Sequence, residues 1–221
     1  MKLLMSRYTR HRIMLLVSGV VMVLALAAVM IFHSDPASPD NEPGDYTMCK
    51  LFSLMPMVLC ADLPVMFMAQ EFQGSRFIRS VPGAARLYGK SVPVFCSLVV
   101  LAWTLVVNVP YAAFILLSGR ELVNISDMLV ISSAVLLLFS VITCCMLSFR
   151  GGVYFVVLFY LPVTLIGAVF GIFDGSIGLP LWAAVLMFAG AFAAGLAVNF
   201  IISRLAFNNI NFREFSYMQS R

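Results

Sequence analysis

Six apolar stretches follow one another along this 221-residue chain with only short polar connections between them. A helix needs roughly 20 apolar residues to cross a hydrocarbon layer about 30 Å thick. Stretches of that length lie at Ile13 to Phe32, Met48 to Ala69, Val92 to Leu117, Met128 to Ser148, Val153 to Phe173 and Leu181 to Ile202. Barrel strands would show shorter segments of alternating polarity, which the chain lacks. The expected fold class is an all-α integral membrane protein of six transmembrane helices, forming one transmembrane domain over residues 1–221. A water-soluble globule is excluded, because 62% hydrophobic and 11% charged residues leave too little polar surface to cover one.

Orientation follows from the cations, since short loops rich in Lys and Arg stay in the cytoplasm. Lys2, Arg7, Arg10 and Arg12 precede the first stretch, and Arg76, Arg79, Arg86 and Lys90 lie between the second and third. Arg150 follows the fourth stretch, and Arg204, Arg213 and Arg221 follow the sixth, so 12 of 14 cations fall on one side. Lys50 and Arg120 occupy the other, with seven acids from Asp35 to Asp174. Both termini are therefore expected in the cytoplasm. The formal charge of +4 reflects this topology and gives no support to nucleic-acid binding. The first stretch is longer than the apolar core of a signal peptide and no small-x-small site follows Phe32, so it is read as a retained helix.

Catalytic and metal chemistry find little material. Cys49, Cys60, Cys96, Cys144 and Cys145 fall in or beside apolar stretches without a CxxC pair, and read as buried thiols. The two histidines, His11 and His33, are assigned to opposite faces. An intramembrane hydrolase would need a paired nucleophile and base at matching depth. No catalytic residue and no metal site is assigned, and the chain is read as a non-enzyme.

Among the connections, residues 33–47 carry three prolines and four acids, the composition of a solvated extracytoplasmic linker. Asn124-Ile125-Ser126 matches a glycosylation sequon but is pressed between two stretches, and is read as chance. Gly167, Gly171 and Gly175, and again Gly190, Ala191, Ala194 and Gly195, form small faces along which a neighbouring backbone approaches closely, within one bundle or between subunits. The cytoplasmic loop 70–91 is long and polar where the connection at Arg150-Gly151-Gly152 is minimal. Arg76, Phe77, Ile78 and Arg79 followed by Pro82 predict a short amphipathic helix ending near Val81, because the residue before proline is pushed out of helical geometry. The string Gly83 to Ser91 resembles a phosphate-binding loop, but five residues separate its glycines where four are required. The chain is thus given no ATP site of its own.

Glu71, the helix at Arg76 to Arg79, Pro82, Arg86 and Lys90 together resemble the corresponding loop of the membrane subunits of type-2 ABC exporters, the ABC-2 permease family. The likeness covers the six-span topology, and its recognisable sequence spans roughly 25 residues. The resemblance implies an ATP-driven exporter in a bacterial plasma membrane, moving antimicrobial peptides, lipids or drugs. It implies partners: cytoplasmic ATP-binding cassette subunits that hold ATP and Mg, and a second membrane subunit, identical or related, in the lipid bilayer. No cofactor is assigned to this chain. In the family this loop docks the ATPase, which assigns Glu71, Arg76, Phe77, Arg79, Pro82 and Arg86 to docking. The family also places an amphipathic helix before its first span, for which only about 12 residues are available here. The alternative is a non-transporting structural or immunity-type membrane protein without an ATPase partner.

Within the apolar stretches, Asp62 is read as the only acid or base well inside. Placing it there costs about 2.5 to 3.5 kcal/mol, and the strong apolar residues of the second stretch offset roughly 2.4 to 4.8 kcal/mol. That helix is marginal alone, the more so with Pro56 and Pro64 in it. At about 1.5 Å per residue, Asp62 lies roughly 10 Å from the inner boundary. Ser97, Thr143 and Tyr160 reach similar depth and are its candidate hydrogen-bond partners and fellow lining residues of a translocation path. A neutral, purely structural Asp62 is the competing reading. Asn108 and Pro110 predict a kink or early end in the third stretch, and Asn199 a bond between helices.

Overall fold

The computed structural model describes residues 2–10, 12–31, 50, 54, 60–69, 83–149 and 177–219, with 85 and 208–219 as backbone alone. Every regular element among them is helical. These are α1 (Lys2–Tyr8), α2 (Arg12–Ile31), α3 (Cys60–Ala69), α4 (Val92–Leu117), α5 (Val123–Ser148) and α6 (Leu181–Gln219). A helical turn, Ala84–Arg86, and a π-helical segment, Leu87–Ser91, lead into α4. Among the described residues, four helices are long and apolar enough to cross a membrane: α2, Leu87–Leu117, α5 and Leu181–Phe207. This is the coarse architecture expected from the apolar stretches. The fifth stretch, the linker 33–47 and most of the loop 70–91 lie outside the described residues.

α4 and α5 form an antiparallel hairpin whose turn is set by Gly119 at φ +67°. The Arg120 N–H donates to the Ile115 carbonyl and the Gly119 N–H to that of Leu116, closing the end of α4 as a Schellman motif. That conformation is cheap only for glycine. Pro110 lies inside α4, which runs on to Leu117 without the expected early end. Membrane helices tolerate such a proline because neighbouring groups satisfy the freed carbonyl.

α5 is the centre of the bundle, with 67% of its most apolar window buried, against 22% for α2 and 11% for α6. Its most extensive partner is α6, and the two run parallel. Asp127 meets Ile177, Gly195 faces Ser140 and Cys144 meets Asn199, so the contacts advance along both helices together. A Cβ at Gly195 would lie 2.7 Å from Ser140 Oγ, whereas one at Gly190 would meet nothing within 4 Å. The small face thus packs within the bundle at Gly195 and is open at Gly190.

α5 starts at Val123, five residues ahead of the stretch expected at Met128. The polar residues that broke the apolar pattern are absorbed because they find partners. Asn124 is wholly buried and its Nδ2 donates to the Glu121 carbonyl, which is a poor setting for a glycosylation acceptor. Asp127 is buried and accepts the Ile177 N–H at 3.2 Å. Lys50 is buried beside it in the fold, its Nζ 3.5 Å from Asn124 Oδ1. Among the described residues, Lys50, Asp62 and Asp127 are the buried side chains of the Asp, Glu, Lys and Arg types, with Asp127 close to the start of α5.

Candidate functional site

Asp62 sits near the start of α3 and is 5% exposed. Across from it, α5 presents Thr143, whose Oγ1 donates to Asp62 Oδ1 at 2.7 Å. Thr143 Oγ1 also lies 2.5 Å from the Phe139 carbonyl one turn back. A hydroxyl has one proton and two lone pairs, so it serves one of these acceptors at a time. With Asp62 ionised, Thr143 donates to the carboxylate. With Asp62 protonated, the acid can donate to Thr143 and leave the hydroxyl proton to Phe139. The pair is thus built to exchange hydrogen bonds when a proton arrives or leaves. Asp62 Oδ2 is buried without a hydrogen-bond partner among the described residues.

A second polar group lies on the adjoining faces of α4, α5 and α6. Asn199 Nδ2 donates to Ser97 Oγ at 3.0 Å and to the Ser140 carbonyl at 3.1 Å, and its Oδ1 is buried without a partner among the described residues. Cys144 Sγ reaches the Asn199 carbonyl at 3.6 Å and Ser148 Oγ at 3.7 Å. The thiols of Cys96 and Cys144 meet between α4 and α5, and Cys96 in turn lies in the field of Asp62. The expected helix-to-helix bond of Asn199 is present. Ser97, expected as a partner of Asp62, is taken by Asn199 instead, because α6 approaches that side of α4. Tyr160 lies outside the described residues.

The N-terminal helix completes the surroundings. Leu4 and Tyr8 of α1 are buried. The Tyr8 ring packs edge-on against Phe95, with centroids 5.8 Å apart, and Trp103 Nε1 donates to its hydroxyl at 2.8 Å. Burial pushes the Tyr8 phenol up to about 12. Cys60 Sγ donates to the Ser18 carbonyl of α2, fastening α3 to the first span. The sequence offered one clue to this role for α1, the i, i+4 spacing of Leu4 and Tyr8 on one helical face.

At the other end of the polar group, Tyr88 of the π-helical segment stacks on Phe207, with centroids 5.9 Å apart and planes 26° from parallel. The Ser203 hydroxyl donates to the Tyr88 carbonyl. Of the residues assigned to docking, Arg86 is described and exposed. Glu71, Arg76, Phe77, Arg79 and Pro82 lie outside the described residues. Among the described residues no cluster of three or more His, Cys, Asp and Glu is placed to hold a metal. No family model matches the chain, and no curated protein or solved structure matches it either.

Proposed function

We propose that the chain is the membrane permease subunit of an ATP-driven exporter, crossing the membrane six times with both ends in the cytoplasm and moved by separate ATPase subunits. The observation that carries this reading is the attachment of the end of loop 70–91 to α6 through Tyr88, Ser203 and Phe207. Asn199 lies one turn back along α6 from Ser203, and it bonds α4 and α5. A pull on the loop therefore reaches three helices and the neighbourhood of Asp62 through contiguous contacts. The π-helical segment at Leu87–Ser91 adds to the argument, since such segments are rare and concentrate at functional sites.

The helix directions support six crossings. Because α5 and α6 are parallel, Phe149 and Ile177 lie at opposite ends of α5, and the sequence between them holds an apolar stretch, Val153 to Phe173, of crossing length. Lys50 is beside the start of α5 and Asp62 near its end, so these two residues of the second stretch follow the direction of α5. Arg86, Lys90 and Arg204 flank Tyr88 and Ser203 in sequence and so share the end that this contact marks, in keeping with a cytoplasmic face.

An ATPase can shift this bundle only through different affinity for its two states, so the loop must be gripped differently with and without ATP. The test is affinity purification of the tagged chain from its native membrane. Recovery of an ATP-binding cassette protein, lost on reversing the charges of Arg76 and Arg79, supports the proposal. An equimolar chain with no ATP-binding partner under mild detergent overturns it.

A further inference from the structure

A groove of about 780 Å³ runs along α2, with Thr9 and Arg12 at one end and Leu16, Gly19, Val20 and Leu24 along its length. From Arg12 to Leu24 it extends about 18 Å at 1.5 Å per residue, close to the roughly 15 Å of one leaflet's hydrocarbon. Its lining is apolar along α2, with Thr9 and Arg12 at the N-terminal end. We propose that this groove binds one anionic phospholipid, with the phosphate at Arg12 and an acyl chain lying over Gly19.

Charge decides the headgroup. Arg12 and Arg10 are exposed at the polar end, and no carboxylate occurs in the chain before Asp35. An exposed cation beside the membrane attracts an anionic headgroup, with each Lys or Arg contributing about 1 kcal/mol. Thr9 turns its hydroxyl proton back to the carbonyls of Met5 and Ser6, so Arg12 is the charged donor at the polar end of the lining. The length and shape decide the chain. Ile13, Leu16, Val20, Val23 and Leu24 are exposed apolar side chains, and at Gly19 a Cβ would meet nothing within 4 Å. A missing side chain on an apolar helix face leaves a channel that an acyl chain fills without displacing protein. The inference needs α2 to lie in a bilayer and is independent of the ATP-driven reading.

The test is native mass spectrometry of the full chain released from nanodiscs of mixed phosphatidylglycerol and phosphatidylcholine. One phosphatidylglycerol per protomer should remain bound in preference to phosphatidylcholine. Arg12→Gln should weaken that retention about fivefold, the factor for one surface cation, while Arg12→Lys keeps it. Gly19→Leu puts a side chain into the groove at a position where a Cβ meets nothing within 4 Å, and should weaken retention about fifteenfold, the factor for displacing roughly two methylenes. Gly190→Leu, at an equally open position on α6, should leave it unchanged. All variants are first checked for monodisperse elution. Equal retention of the two lipids overturns the proposal, as does a Gly19→Leu protein that keeps its lipid. A Gly19→Leu change that instead converts dimer to monomer assigns the groove to a second copy of the chain and also overturns it.

Discussion

The hydroxyl of Thr143 stands 2.7 Å from the Asp62 carboxylate and 2.5 Å from the carbonyl of Phe139, with one proton to give. This joins α3 to the central helix α5 at the point where an acid is taken out of water. The second stretch is marginal by its own composition, so the contact is also what ties it to the bundle.

Asp62→Asn keeps an acceptor toward Thr143 and removes the exchangeable proton. Its unfolding free energy in detergent should stay within about 1 kcal/mol of wild type, since hydrogen bonds between membrane helices average about 0.6 kcal/mol. If the chain is the proposed exporter subunit, transport on reconstitution with the proposed ATPase should differ from wild type in its pH profile. A pH profile identical to wild type would leave Asp62 a structural residue only.

Gly195 admits α6 against α5 because it has no side chain. Gly195→Val should destabilise the bundle by about 1–3 kcal/mol, the usual cost of forcing atoms into a packed contact. Gly195→Ala should cost less, and Ser140→Ala should relieve part of that cost, because the atom met at 2.7 Å is Ser140 Oγ. A double-mutant cycle of the two sites by detergent unfolding measures the coupling. Strict additivity would contradict the close approach.

Asn199 holds three helices through one side-chain amide. Asn199→Ala removes both donor contacts, to Ser97 and to the Ser140 carbonyl. A loss of about 1–2 kcal/mol is expected, near the upper end measured for polar contacts between membrane helices. Asn199→Gln should not restore it, since the longer chain moves the amide away from both acceptors. Thermal unfolding of the three proteins in one detergent decides this.

Tyr8 should titrate near pH 12 rather than at its ordinary value near 10. Burial favours the neutral phenol, so the stability it contributes is complete below pH about 10 and is lost as pH rises through about 12. The difference in alkaline phenolate absorbance between wild type and Tyr8→Phe isolates this one group. A midpoint near 10 would mean that α1 is not packed against Phe95 and Trp103.

The sequence by itself determined that the elements are helices and where the four long apolar ones lie. In lipid an unpaired backbone group costs several kcal/mol, so any apolar stretch of sufficient length must close its own hydrogen bonds. It also placed Asp62 and Thr143 at one depth, because depth along a helix is a linear function of residue number. Tertiary structure alone decided which side chains at that depth meet, since rotation and neighbour choice are set by packing. Ser97 therefore faces Asn199 rather than Asp62, and α1 turns inward to Trp103. The same reason explains why Asn124 and Asp127 belong to a buried helix end although their polarity reads as loop. A polar residue is excluded from a span only while it lacks a partner, and Ile177 and Lys50, distant in sequence, supply partners that no local pattern contains.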